Sequence, residues 1–225
     1  MKILSLIIVV FCLSLNSLLA QKNHINTFHT SYFDTSLPNK PIVESGLVST
    51  FDDLDLYATG TAKLNSDIAL SAEFFTGYSM GDEQLIISGR YNLSDGNNKL
   101  AVGPAYEFRN GSIGVLWSFR YVIDSKFELV SKSGIFFSDL EVGNSSVILG
   151  TSLLHYISES FTLLGEVTYS DEGLSRILTN DNLLITSFGT EYVITPGLHF
   201  RGVIGYNLLD SNRDLVLSSG VSYSI

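Results

Sequence analysis

The sequence predicts an all-β protein, a closed antiparallel transmembrane β-barrel of about twelve strands, with ten as the alternative count. From about residue 42 onward, apolar and polar residues alternate with a period of two, and no stretch of eleven or more residues has a helical period. Most alternating segments are roughly ten residues or longer, whereas strands of globular proteins usually have about five or six. A tilted strand needs about nine to eleven residues to cross a bilayer, so the segment length favours a membrane-spanning sheet.

The first twenty residues predict a secretory signal peptide, 1–20. Lys2 supplies a positive start, an apolar run follows from Ile3 to about Leu15, and the small residue Ala20 marks the cleavage point. Cys12 is the only cysteine of the chain, so the expected mature protein has no disulfide to hold it together.

The segment 21–41 is predicted to be an N-terminal tail or a plug in the lumen, because Pro38 and Pro41 discourage strand formation. The barrel domain is predicted at 42–225. Its alternating segments are, in order, 42–50, 54–64, 67–79, 84–93, 99–108, 112–123, 127–138, 146–157, 161–170, 183–193, 198–208 and 214–225.

The connections between these segments alternate in length. Tight turns such as LNSD (64–67) and ISESF (157–161) alternate with connections that are on average longer and more acidic, such as SDEGLSRILTNDN (170–182). STFDDL (49–54) and FRNGS (108–112) are short exceptions in the second set. Transmembrane barrels have short periplasmic turns and longer outer loops, so the alternation predicts that the tight turns are periplasmic.

The net charge limits the possible partners. Without Lys2, 12 basic residues stand against 23 acidic ones, which gives the expected mature chain a net charge of −11. Binding to nucleic acid or to an anionic membrane surface depends on basic patches. The composition therefore argues against nucleic acid as a partner.

Charged residues in the middle of the segments fall almost entirely on one face. In a soluble β-sandwich, which is the alternative fold, this face would be the outside and the apolar face would fill the core. In a membrane barrel, apolar side chains meet lipid and polar ones line the interior. The segment length and the need for a sheet in a bilayer to have no open edge favour the barrel. The charges predicted to line the lumen are Glu73, Arg90, Glu107, Arg120, Glu128, Lys132, Glu166, Glu191 and Arg201.

Two interpretations of these charges stay open. Consecutive segments carry Glu73, Arg90, Glu107 and Arg120, followed by Glu128 with Lys132, so opposite charges are expected to face each other across the interior wall. One interpretation is a polar, selective constriction in a narrow pore. The other is an ion-pair network that satisfies buried charges and stiffens or blocks a small barrel. Because the two signs nearly balance, no preference for anions or cations follows.

A tyrosine precedes four of the tight turns, in YNLSDG, YVIDSKF, YISESF and YVITPGL, which is a weak internal repeat. Strand parity puts these turns at the same end as the C-terminus. Aromatic rings with a polar tip are favoured at a membrane interface, so this end is predicted to have an aromatic girdle. The alternative is the ordinary preference of aromatic residues for strands. The predicted girdle consists of Tyr91, Tyr121, Tyr156, Tyr192 and Tyr223.

The last segment ends in SSGVSYSI (218–225). A polar residue, a glycine and two hydrophobic residues spaced by one stand at Ser218, Gly220, Tyr223 and Ile225. This pattern resembles the C-terminal insertion signal of bacterial outer-membrane barrels, among them porin-like proteins, although those signals more often end in an aromatic residue. The resemblance implies the outer membrane as the location, outer-membrane lipid as the surroundings and the barrel assembly machinery as a partner.

The predicted function is a narrow channel, or porin, for small solutes, without enzymatic activity. A non-conducting structural, adhesive or accessory barrel is the alternative. An outer-membrane hydrolase is the third hypothesis, with His155 or His199 beside a serine and a glutamate as its candidates. No H-E-x-x-H or G-x-S-x-G pattern is present, so no catalytic residue, metal site or cofactor is predicted.

Overall fold

The computed structural model describes residues 41–49, 54–76, 84–94, 98–108, 111–137, 145–170, 183–209 and 215–225. These residues form the predicted all-β fold with twelve strands, which is confirmed. The predicted signal peptide and, except for Pro41, the predicted tail or plug lie outside the described residues. The strands are β1 (Ile42–Ser49), β2 (Leu54–Lys63), β3 (Ile68–Thr76), β4 (Gln84–Asn92), β5 (Lys99–Glu107), β6 (Ser112–Val122), β7 (Phe127–Phe137), β8 (Ser145–Tyr156), β9 (Phe161–Ser170), β10 (Leu183–Thr195), β11 (Leu198–Asn207) and β12 (Leu215–Ser224).

The sheet closes on itself. Every strand pairs antiparallel with its neighbours in the chain, and β1 pairs with β12 from Ile42 opposite Ser224 to Ser49 opposite Leu217. A bilayer supplies no hydrogen-bond partners to an open edge, so closure is what allows such a sheet to lie in lipid. Helices contribute no membrane span to the described part of the chain.

In three of the tight turns, a short polar side chain accepts a hydrogen bond from the backbone N–H group two residues ahead. Asn65 Oδ1 accepts the backbone N–H groups two and three residues ahead, at 2.8 and 2.9 Å. Asp124 Oδ1 does the same at 2.7 and 2.8 Å, and Ser158 Oγ accepts the N–H group two residues ahead at 3.3 Å. Short polar side chains of this kind stabilise turns by such bonds. The N–H group of Ile225 donates to the Pro41 carbonyl at 2.9 Å, at the same end of the barrel.

The outer face of the barrel is apolar. Leu70, Ile87, Trp117, Phe188 and Ile204 lie on five different strands and are between 38% and 56% exposed. Monomeric soluble proteins rarely expose continuous apolar surface of this extent. The alternation predicted from the sequence therefore has the sense expected for a membrane barrel, with apolar side chains outside.

The inner face is less polar than the sequence predicts, because several strands carry large apolar residues on both faces. Two buried apolar clusters lie in the strand halves away from the tight turns, and most of a third lies in the halves next to them. Side chains of the inner face meet each other in a small barrel, so these clusters narrow its interior. The first comprises Val48, Tyr57, Phe75, Ile185 and Val216, the second Ile86, Ala105, Leu116, Phe136 and Ile148, and the third Val130, Leu154, Leu164 and Val203.

Candidate functional site

The nine charged residues predicted to line the lumen have buried or nearly buried side chains on the inner face. Arg120 retains 11% exposure of its side chain, and each of the other eight is at most 7% exposed. On β7, for example, Glu128, Val130 and Lys132 are buried at alternate positions. This period of two brings charges from separate strands to one enclosed surface.

One ion pair crosses the interior. Lys132 Nζ on β7 lies 3.3 Å from Glu73 Oε1 on β3, although β4, β5 and β6 separate these strands along the wall. In a circular twelve-stranded barrel with strands about 4.8 Å apart and tilted about 40°, β3 and β7 would be about 20 Å apart across the interior. A lysine and a glutamate side chain end to end do not span that distance. The cross-section is therefore flattened here, and we call Lys132 with Glu73 the transluminal pair.

A second group of charges bridges the strands where the barrel closes, and we call it the seam network. Arg201 on β11 donates through Nη2 to Glu191 Oε2 at 2.9 Å and through Nη1 to Glu44 Oε1 at 3.3 Å. Tyr57 on β2 donates its hydroxyl to the same Glu44 oxygen at 3.0 Å. His199 Nδ1 lies 2.9 Å from Glu191 Oε1. The network therefore reaches from β10 across the closing pair of strands to β2.

Two glycines make room for the seam network. Gly46 and Gly220 stand opposite each other in β1 and β12, with Tyr57 opposite Gly46 on β2 and Arg201 opposite Gly220 on β11. A methyl group on Gly220 would overlap the Tyr57 hydroxyl, and one on Gly46 would lie 2.6 Å from Tyr57 Cε1. The tyrosine side chain thus covers the backbone of both glycines, which is a close approach that a residue with a Cβ atom obstructs.

A third group of polar contacts joins β6, β7 and β8. Arg120 donates to Glu128 Oε2 through Nε at 2.9 Å and through Nη2 at 2.5 Å, and the Tyr156 hydroxyl donates to the same oxygen at 2.8 Å. The prediction that Tyr156 belongs to the outer girdle is therefore wrong. Ser152 and Leu154 are buried on β8, and Tyr156 continues their parity, so its side chain lies on the inner side of the wall.

Of the charges predicted to face each other, Arg120 and Glu128 form an ion pair between neighbouring strands, and Lys132 pairs with Glu73 across the interior. Parity predicts which face a side chain occupies, but the height along the barrel depends on the register between strands. In the register, Glu73 stands opposite Ile86, Arg90 opposite Ala69, Glu107 opposite Ser112 and Arg120 opposite Lys99.

Two further predicted charges contact hydroxyl groups. Arg90 Nη2 donates to Ser71 Oγ at 2.8 Å. Glu166 accepts hydrogen bonds from Ser152 Oγ at 2.6 Å and from Thr168 Oγ1 at 2.9 Å. Burying a charge costs free energy unless hydrogen-bond partners satisfy it, so these hydroxyl groups lower the cost of burying both charged groups.

The remaining tyrosines of the predicted girdle lie on the outer face. Tyr91, Tyr121, Tyr192 and Tyr223 are between 43% and 52% exposed, and each is in the strand half nearer the tight turns. Their placement suits a membrane interface, and the interfacial role stays a prediction.

The four residues of the predicted insertion signal divide between the two faces of the wall. Ser218 and Gly220 are on the inner face, where Ser218 Oγ donates to the Leu47 carbonyl at 2.8 Å. Tyr223 and Ile225 are exposed on the outside. Recognition of this segment by an assembly machinery stays a prediction.

Sequence reasoning missed Glu44 and Tyr57, whereas His199 was expected on the inner face, where a hydrogen-bonded wall residue was the alternative to a catalytic one. Glu44 is 1% exposed and Tyr57 is 3% exposed, and both belong to the inner face. On β1, Ile42 and Val48 are buried beside Glu44, while Val43 on the other face is exposed. Since apolar residues occupy both faces of this strand, its parity carries no clear signal. The available signal was a glutamate within a predicted strand.

The histidines proposed for a hydrolase lie in different surroundings. His155 stacks on Phe127, with ring centroids 4.3 Å apart, whereas His199 is buried in the seam network beside Glu191. Glu191 is also bound to Arg201. The described residues contain no group of three or more histidine, cysteine, aspartate or glutamate side chains placed to hold a metal ion.

Comparison with known proteins shows which solved structures have a similar fold. No family model and no curated protein matches the sequence. The solved structure of the KdgM porin is similar, with a TM-score of 0.65 at 12% identity over 82% of this chain and 99% of that chain. The fold is that of an outer-membrane porin. The NanC porin matches with a TM-score of 0.63 at 13% identity, covering 82% and 100% of the two chains. Omp33 of Acinetobacter baumannii matches with a TM-score of 0.55 at 10% identity, covering 84% of this chain and 99% of that chain.

Proposed function

We propose that the protein is a narrow channel for small solutes in the bacterial outer membrane. The observation that carries this proposal is a closed barrel with an apolar outer face, a charged inner face and an ion pair across its interior. Charged side chains at a constriction set which solutes a pore admits. The transluminal pair is the proposed constriction, because it joins two strands that β4, β5 and β6 separate along the wall.

The similar porin structures support the channel and its location in the outer membrane through the fold alone. Outer-membrane lipid is the proposed surroundings of the exposed apolar face, and the barrel assembly machinery is the proposed partner of the segment 218–225. The proposal includes no enzymatic activity and no nucleic acid partner.

Single-channel recording tests the proposal. The mature chain is refolded and inserted into a planar bilayer beside a variant that carries Glu73→Gln and Lys132→Met. We expect discrete conductance steps from both, with larger steps from the variant, because the variant lacks the ion pair that joins opposite sides of the lumen. A matched control removes one charge of each sign from exposed turns, by Lys126→Met with Glu159→Gln. Its steps should equal those of the unmodified chain.

A non-conducting barrel remains the second candidate, because the three apolar clusters and the transluminal pair occupy the interior. Insertion of correctly folded protein without conductance in any of the three chains would overturn the channel. The inner charges would then act as structural ion pairs that stiffen the wall.

A further inference from the structure

Three strands, β4, β5 and β6, separate the two members of the transluminal pair along the wall, and we call them the short arc. The middle strand β5 has small residues, Ala101, Gly103 and Ala105, at consecutive inward positions. A methyl group on Gly103 would overlap the Gly89 carbonyl oxygen of β4, so these two strands approach each other closely there. The small residues of β5 leave space between the larger side chains of β4 and β6.

A cavity lies on the short arc. Its lining residues are Arg90, Ala101, Leu116, Trp117, Ser118 and Lys132. In the register, Ala101 stands opposite Ser118, and Ser118 stands opposite Lys132, so a row of inner-face positions runs from β5 to β7 along the cavity. The cavity volume is about 10 Å³. One water molecule needs about 10–15 Å³, so the space suits a single water molecule.

The hydroxyl group of Ser118 indicates that the cavity holds a hydrogen-bonding ligand. Ser118 is 3% exposed, and its Oγ has no hydrogen-bond partner among the described residues. On the inner face of β4, the buried atoms Ser88 Oγ and Asn92 Oδ1 share this property. Buried polar groups in proteins are normally hydrogen-bonded to protein or to ordered water, so the partner of Ser118 is expected in the cavity that this residue lines.

We propose that the cavity is a binding site for one water molecule, held by the Ser118 hydroxyl, with Arg90 and Lys132 as the other polar groups of its lining. Guanidinium and ammonium groups only donate hydrogen bonds, whereas a hydroxyl both donates and accepts. The water oxygen therefore accepts from the cationic side, and a water hydrogen is donated to Ser118 Oγ. Buried waters typically make about three such bonds. A chloride ion is larger than a water molecule, so the volume favours water over an anion.

The bound water hydrates the transluminal pair from the side of the short arc, because Lys132 belongs both to the pair and to the cavity lining. The inference goes beyond the proposed channel function and does not depend on it, since a barrel that does not conduct can hold the same water.

A crystal structure of the refolded mature chain, grown with bromide in place of chloride, tests the inference. We expect an electron-density peak about 3 Å from Ser118 Oγ, without anomalous scattering from bromide. Ala101→Val fills the cavity with two further methyl groups and should abolish the peak. Ala105→Val makes the same enlargement on the same face of β5, outside the cavity lining, and should retain the peak.

A measurement in solution covers variants that fold but do not crystallise. Methyl-labelled protein in detergent micelles should show magnetisation transfer from water to the Leu116 methyl groups, which line the cavity. The transfer should be lost in Ala101→Val and kept in Ala105→Val.

Three outcomes would overturn the water site. The first is an empty cavity in a structure that shows ordered waters elsewhere in the barrel. The second is an anomalous bromide peak, since the ligand would then be an anion. The third is equal loss of the density peak or of the magnetisation transfer in Ala101→Val and Ala105→Val, because the effect would then belong to β5 as a whole and not to the cavity. None of these outcomes bears on conductance, so the channel is tested separately.

Discussion

The seam network and the transluminal pair place charged side chains inside the same barrel, but they act in different directions. At the seam, Arg201 reaches Glu191 on the adjacent strand and Glu44 two strands away, so its contacts run along the wall and hold strands together. Lys132 and Glu73 are four strands apart, and their contact runs across the interior. The strand separation of an inner ion pair thus distinguishes a contact that closes the wall from one that sets the aperture.

Breaking the transluminal pair on one side should have the largest effect on stability. Lys132→Met leaves the Glu73 carboxylate buried without its ammonium partner, and losing one member of a buried pair costs about 3–5 kcal/mol. The double variant Glu73→Gln with Lys132→Met removes both charges and should lose less. Urea unfolding of the barrel in lipid vesicles measures both free energies. If the single variant is as stable as the double variant, the two groups are not a coupled pair.

The glycine contact at the seam predicts an intermediate effect that a second substitution relieves. Gly220→Ala forces a methyl group against the Tyr57 hydroxyl, and overpacking of this kind costs about 1–3 kcal/mol. Tyr57→Phe removes that oxygen, so the double variant should recover part of the loss. Gly46→Ala should not recover with Tyr57→Phe, because its methyl group also meets the Ser219 carbonyl and the ring itself.

Refolding without any assembly protein separates two roles of Gly220. If Gly220→Ala destabilises the barrel in pure lipid and Tyr57→Phe relieves the loss, the glycine is needed for the fit at the seam. A variant that refolds and melts like the unmodified chain, yet fails to reach the membrane in cells, would assign Gly220 to the insertion signal instead. Simple additivity of Gly220→Ala and Tyr57→Phe would contradict the contact.

The architecture was predictable from the sequence because it depends on a local pattern. Alternation with a period of two is set by the pleat, so Glu128 and Lys132 on β7 were placed correctly on one face without any tertiary information. The same parity argument explains why the tyrosines at positions 91, 121, 192 and 223 lie outside. The parity argument also applies to Tyr156. Counting every second residue along β8 from the buried Ser152 and Leu154 places Tyr156 on the inner face.

The partners of the inner charges were not predictable, because they depend on strand register and on the shape of the cross-section. Arg120 and Glu128 pair across adjacent strands, but Glu73 reaches Lys132 only because the barrel is flattened. Nor does the alternation indicate that Tyr57 lies over two glycines of other strands, since that contact requires the register of both β1–β2 and β1–β12. Pair identity in a barrel is a property of the closed sheet and not of any one strand.

The smallest effect is expected at Gly60, which sharpens the interpretation of Gly220. Gly60 lies on the outer face of β2, opposite Val43 of β1, and a methyl group there meets nothing within 4 Å. Gly60→Ala should therefore change the free energy of unfolding by no more than about 0.5 kcal/mol, as for surface substitutions away from special features. The same urea titration in vesicles measures it. A loss as large as that of Gly220→Ala would show that any glycine beside the seam is sensitive, and the specific contact with Tyr57 would lose its support.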